Sequence, residues 1–347
     1  MRQYSLGAVG LLFLASPAFA LDSETRVTIT GNFAENEDVS GIACAEPIGT
    51  FPRNCLVAVD EDVKVQRVVL TREDGGYVLE PGERLTVLDN DDKKVEKPYF
   101  GTPPTTACSA GVKDAEELDG EAVTFAAGAY YIAGSHGCGR NNQAARLSGF
   151  LVARLAPDAA AGNDPAGEIS FRLNEVLASD AALASHFGKD LAAGGISIEG
   201  LAGTGDPARL YFGLRSPTDG SNAYIVSVDA AALFSDDANL AAQVDRIDLS
   251  ELGTGLGIRD IATVESDTDR LLLLFGPALG DEGKYFVADY NLTTRKLGPE
   301  EAVSTPPDGK AEGLLIVDRL STKAKVLFLY DGVKDGAPAM KIVALQQ

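Results

Sequence analysis

Five strongly apolar runs punctuate the chain: "CLVAVDED" from Cys55, "AYYIAGSHG" from Ala129, "RLYFGLRSP" from Arg209, "RLLLLFGPA" from Arg270 and "AKVLFLYDG" from Ala324. A shorter stretch and a turn precede each one. These heads read "VSGIACA" from Val39, "LDGEAV" from Leu118, "IEGLA" from Ile198, "IRDIA" from Ile258 and "AEGLLIV" from Ala311. Continuous apolar runs bounded by turn residues are the signature of inner strands covered on both faces. Each pair therefore predicts a hairpin, and the offset between head and run is regular. Asp119 to Ser135, Glu199 to Arg215 and Arg259 to Phe275 are each sixteen residues apart.

Two further strand-like stretches follow the middle copies, such as "NAYIVSVDAAALF" from Asn222 and "QVDRIDLSEL" from Gln243. Four strands per repeat, with heads at Gly41, Gly120, Gly200, Asp260 and Gly313, describe an all-β propeller of five blades. The long spacings of 79 and 80 residues between the first three heads leave room for a degenerate sixth blade. The last copy is one strand short, whereas "TRVTITGNF" from Thr25 is spare at the start. Pairing of residues 25–33 with 338–346 would close the ring and remove open edges. Residues 173–195 break the pattern and read as a helical or loop insertion ending in Gly194-Gly195; residues near 100–118, with their Pro pair, read as a surface loop.

Residues 1–20, with Arg2, an apolar run from Leu6 to Ala15 and an A-x-A site at Ala18–Ala20, read as a secretory signal peptide cleaved after Ala20. The expectation is a periplasmic or secreted protein whose residues 21–347 form one domain. In that setting the four cysteines read as two disulfides, and pairing Cys44 with Cys55 and Cys108 with Cys138 closes the shortest loops. Acidic residues number 51 against 30 basic ones, a formal charge of -21, which repels nucleic acid and anionic lipid. No stretch has eighteen uninterrupted apolar residues, so no membrane span is expected. A monomer is expected.

Equivalent repeat positions gather charge. The heads bring Ser40, Asp119, Glu199, Arg259 and Glu312 to one end of the innermost strands, and antiparallel geometry returns the following strands to that end with Asp60, Ser135-His136 with Arg140 nearby, Arg215 and Asp331. Two readings follow. Asp119, Glu199, Glu312 and Asp60 supply oxygen ligands suited to Ca2+; Arg140, Arg215 and Arg259 supply guanidinium groups for a phosphate or carboxylate; His136 supplies an acid or base near neutrality. That set would make a calcium-assisted hydrolase of phosphoesters or esters. Alternatively the acids and arginines pair with one another, and the channel mouth is a binding surface for a small anionic ligand or an exported protein. No complete catalytic constellation is present in the sequence, which favours the binding module.

Taken together, "SIEGLA", "GLRSP", "GIRDIA", "AEGLL" and "YYIAGSHG" resemble the bacterial domain-of-unknown-function family 3616, over nearly all of the chain from Gly41 onward. The resemblance implies a propeller-like β fold and no established chemistry. It directs attention to Glu199, Arg215, Arg259, Asp260, Glu312 and His136. One departure stands out: in the second copy the aligned acid is Asp119, and Glu121 falls where the other copies carry an apolar residue.

Overall fold

The structure is a computed structural model that describes residues 26–346, apart from 34–37, 60–63, 89–94, 96–98, 114, 116–117, 140–143, 158–166, 237–238, 265–268 and 281–282. The expected signal peptide lies outside the described residues.

Five small sheets stand in a ring, a five-bladed β-propeller. The first sheet takes β1 (Arg26–Ile29), β2 (Val39–Cys44), β3 (Arg53–Val59), β4 (Lys64–Glu73) and β5 (Gly76–Thr86), in the order β1-β5-β4-β3-β2. Next in the chain come β6 (Tyr99–Phe100), β7 (Val112–Lys113), β8 (Gly120–Ala126), β9 (Ala129–Gly134), β10 (Ala145–Arg146), β11 (Val152–Leu155) and β12 (Glu168–Ser170). Of these, β6-β12-β11-β9-β8 form the second blade, and β7 pairs with β10 beside it. The third blade is β13 (Ser197–Thr204), β14 (Arg209–Asp219), β15 (Asn222–Asp229) and β16 (Ala242–Asp248). The fourth contains β17 (Leu256–Thr263), β18 (Arg270–Pro277), β19 (Tyr285–Asn291), β20 (Lys296–Leu297) and β21 (Glu301–Val303), with β20 and β21 both on β19. The fifth has three strands: β22 (Lys310–Leu320), β23 (Lys323–Asp331) and β24 (Ala339–Ala344).

The apolar runs explain the packing. Leu271 to Phe275 of β18 are fully buried, as are Leu56 to Ala58 of β3, because each such strand is covered by a neighbouring blade on both faces. Glycine decides one seam. Gly200 and Gly213 lie opposite each other in the third blade, and a Cβ on either would strike Ile258 or Ile261 of the fourth. Bare backbone there lets those two isoleucines seat between the blades. The β8–β9 hairpin turns in two residues, Ala127 and Gly128, both at positive φ, the turn whose twist matches that of paired strands.

Ring closure differs from the expected pairing of residues 25–33 with 338–346. β1 pairs in parallel with β5, Arg26 opposite Gly76 through Ile29 opposite Leu79, on the outer edge of the first blade. It reaches the fifth blade by packing instead. β1 comes within 8 Å of β24 between Cα atoms, Val27 and Ile29 join a core cluster containing Leu315, Leu327 and Leu329, and the Phe33 N–H donates to Asp335 at 2.9 Å. Arg53 completes the seam by donating from Nη1 to the Ile316 carbonyl at 2.8 Å. The physical reason is the occupied edge. Glu301 takes the Ala344 N–H at 2.7 Å, and Asp289 takes that of Gln346 at 3.0 Å, so side chains of the fourth blade cap this end of the last strand.

The two insertions meet on one face. Residues 173–195 begin with a short helix, α1 (Leu173–Ser179), and end at Gly194 in the left-handed region. The Cys108–Cys138 disulfide ties the 100–118 segment to the loop after β9, and Cys138 bridges to Asp190. The second disulfide joins Cys44 to Cys55, directly opposite one another on β2 and β3.

Candidate functional site

Every innermost strand carries a one-residue β-bulge at the same level. The register skips between Val39 and Gly41, Gly120 and Ala122, Ile198 and Gly200, Ile258 and Asp260, and Ala311 and Gly313. A bulge sets two residues against one and re-aims a side chain out of the ladder. The residues so presented are Ser40, Glu121, Glu199, Arg259 and Glu312. The second copy thus contributes Glu121 rather than Asp119, which sits one position before the strand. A glutamate followed by a small residue, "EA" against "EG", is the signal that aligns this copy.

Charge is neutralised across the blades at this level. Arg215 Nη1 donates to Glu199 Oε1 at 2.6 Å, and Arg259 Nε lies 2.9 Å from Glu199 Oε2, an ion contact outside hydrogen-bond alignment. Arg259 Nη2 donates to Glu312 Oε1. Three blades are thereby tied through one guanidinium: Glu199 on the third, Arg259 on the fourth and Glu312 on the fifth. Arg259 is 1% exposed and Glu199 3%. Burial lowers the pKa of Arg259, opposed chiefly by Glu199 and to a lesser degree by Glu121. A charge held so deep is tolerated because its partners are charged as well.

Asp260, the residue after the bulge, ties the fourth blade to the fifth in another way. Its carboxylate accepts the Leu314 N–H at 2.6 Å and the Ile261 N–H at 2.7 Å, and burial raises its pKa well above the usual carboxylate range. Asp119 accepts a hydrogen bond from Ser135 Oγ. His136 is 1% exposed, at a φ of 53°, with Nδ1 at 2.9 Å from the Gly134 carbonyl. That carbonyl requires the Nδ1–H tautomer and leaves Nε2 as an acceptor with no partner among the described residues. Burial depresses its pKa to about 4, against a weaker opposing effect of the Gly134 bond. Asp331 at the last strand end pairs with Lys310 at 3.0 Å. Asp60 and Arg140 lie outside the described residues.

These contacts bear on calcium directly. The ion takes six to eight oxygens at about 2.3–2.6 Å, whereas Glu199 and Glu312 already hold guanidinium groups that would repel a dication. Among the described residues no group of three or more His, Cys, Asp or Glu side chains converges as a metal site. Glu199 and Glu312, held in this way, do not fit the ion.

Beside the cluster, a pocket of about 450 Å³ opens between the third and fourth blades. It lies at the same end of the strands, since Leu256 and Pro277, which pair across the β17–β18 hairpin, both line it. Its wall is fastened to the charge cluster: Arg215 Nε donates to the carbonyl of Ala278, a lining residue, at 2.9 Å.

Fold and site together define a five-bladed propeller with mutually paired charges at its axis. The family described as "Protein of unknown function (DUF3616)" matches residues 156–339, more than half of the chain, and the chain belongs to that family. Among solved structures it is similar to an exo-β-1,3-galactanase from Phanerochaete chrysosporium, with 11% identity and a TM-score of 0.41 over 90% of this chain and 65% of that one. It is also similar to the AfRom2 CNH domain, with 8% identity and a TM-score of 0.35 over 89% of this chain and 66% of that one. The chain thus spans about two thirds of the length of either, and likenesses this distant say nothing about activity. No curated protein matches the sequence.

Proposed function

We propose that this is an exported, non-catalytic binding module that receives a small ligand at the end of the propeller where the innermost strands begin. One observation carries the reading. Glu199, Glu312, Arg215 and Arg259, which a hydrolase would use at the axis, are spent on one another, while the pocket next to them is walled by a segment that Arg215 holds in place. Arg215 and Arg259 act here as structural clamps rather than as anion receptors, and His136 as a buried packing group. The two disulfides, and the absence of a helix long and apolar enough to cross a membrane among the described residues, are compatible with an extracellular or periplasmic location.

The discriminating experiment is an assay of the purified full chain on generic phosphomonoesters and carboxylic esters, with added calcium and with chelator, beside calorimetric titration of calcium. The binding-module reading expects no turnover under either condition and no saturable calcium heat. Turnover that chelation abolishes and calcium restores would establish the hydrolase instead.

A further inference from the structure

The pocket between the third and fourth blades has a composition that selects its occupant. Its wall is largely apolar, with Leu252, Leu256, Pro277 and Phe286 exposing hydrocarbon. Among the described residues Lys284 is the one charged side chain lining it; it is exposed and forms no ion pair with them. Hydroxyls come from Thr218 and Thr254. At the rim stands Leu279, 53% exposed and one of two large hydrophobic side chains left open to solvent among the described residues. An exposed ammonium beside an apolar wall is complementary to a molecule with one negative charge on a hydrocarbon body. Its volume falls within the range of about 300–1,000 Å³ typical of small-molecule sites. The rest of the surface sharpens the choice. With 51 acidic against 30 basic residues, the chain repels multiply charged anions, and one lysine does not offset that repulsion for a phosphate dianion. A sugar, in turn, would need more hydrogen-bonding groups than the two threonines offer.

We propose that this pocket binds an apolar monocarboxylate, a medium-chain fatty acid or single-ring aromatic acid. The hydrocarbon lies against Leu252, Leu256 and Phe286 under Leu279, and the carboxylate sits on the Lys284 ammonium. The inference rests on the binding-module reading and names its ligand class.

The test is titration of the full chain with octanoate, with octanamide as its neutral counterpart and inorganic phosphate as an anion without hydrocarbon. It is followed by calorimetry and by hydrogen exchange of the mouth segments. Octanoate is expected to bind saturably and to protect residues 252–256, 278–279 and 283–286. Octanamide should bind about tenfold more weakly, the worth of one charge-assisted contact, and phosphate not at all. Lys284→Gln should weaken octanoate about tenfold and Lys284→Arg should restore it. Thr254→Trp, at an exposed position, should block the pocket while leaving the circular dichroism spectrum unchanged. Equal binding of octanoate and octanamide, or octanoate affinity indifferent to Lys284→Gln and Thr254→Trp, would overturn the assignment. If octanoate fails but another small molecule protects the same segments, the ligand class is wrong and the binding module stands. If no member of a broad small-molecule panel protects any mouth segment, both readings fall.

Discussion

His136 provides a sharp test of how the second blade is packed, because its burial has a thermodynamic consequence with a definite sign. The ring is 1% exposed, and its pKa is depressed from 6.5 to about 4, by burial first. An unfolded chain protonates this histidine below pH 6.5; the folded one holds it neutral until about pH 4. The group's contribution is thus fully present above pH 6.5 and is lost as pH falls, because the unfolded state takes up the proton that the native state refuses. One pKa unit corresponds to about 1.4 kcal/mol, so the loss across this window reaches about 3 kcal/mol. Burial raises the pKa values of Asp260 and Asp289, so those groups act with the opposite sign on acidification. The comparison with a variant isolates the histidine. Asn tolerates the positive φ and keeps a donor for the Gly134 carbonyl, so His136→Asn should fold and should lose this part of the acid dependence. Urea unfolding, followed by circular dichroism because the chain has no tryptophan, should be measured at half-unit steps from pH 7 to pH 4. Wild type should lose stability relative to the variant by about 3 kcal/mol over that span. Parallel pH profiles, or a histidine NMR signal absent from the variant that titrates near pH 6.5, would refute the burial argument.

Other elements yield predictions of similar directness. Asp260→Ala should cost about 1–3 kcal/mol by leaving the Leu314 N–H without its acceptor, whereas Asp260→Asn should cost less; hydrogen exchange at the Leu314 amide distinguishes the two. Replacing Cys108 and Cys138 with Ser should cost about 2–4 kcal/mol in urea unfolding, and should speed proteolysis within residues 101–113 and 180–190, because that bridge ties one insertion beside the other. The same replacement of Cys44 and Cys55, which close a shorter loop between strands already paired, should cost less.

Much of the architecture was legible because propeller strands are buried on both faces and therefore write long apolar runs into the chain. The five heads and the runs that follow them lie on the innermost strand and its neighbour in each blade, and both disulfides join the nearest cysteines. Glu199 and Arg215, separated by sixteen residues, do meet, because one turn returns the chain to its starting end. What escaped the sequence was register. A bulge adds a residue without leaving a compositional mark, so Glu121 stood hidden behind Asp119 until the ladder of β8 and β9 was seen. Ring closure is equally illegible, since the sequence shows a spare strand and a short blade but not the Glu301 and Asp289 side chains that cap β24 and Gln346. Whether the axial charges are buried against one another stays open in the sequence for a similar reason. The pattern places acids and arginines at one end of the strands, but only packing decides whether they face water or one another. Nor did the sequence expose the pocket, whose lining around residues 218, 252–256, 277–279 and 283–286 comes mostly from segments between the repeat motifs.

Arg259 joins glutamates from neighbouring blades into one buried ionic unit. A double-mutant cycle with Arg259→Met and Glu312→Gln, read by urea unfolding at neutral pH, tests it directly. Truncating one partner of a buried pair costs about 3–5 kcal/mol, and removing both should cost clearly less than the two single losses combined, with a coupling energy of at least about 2 kcal/mol. Effects that add to within about 0.5 kcal/mol, or an Arg259→Met protein as stable as wild type, would contradict it.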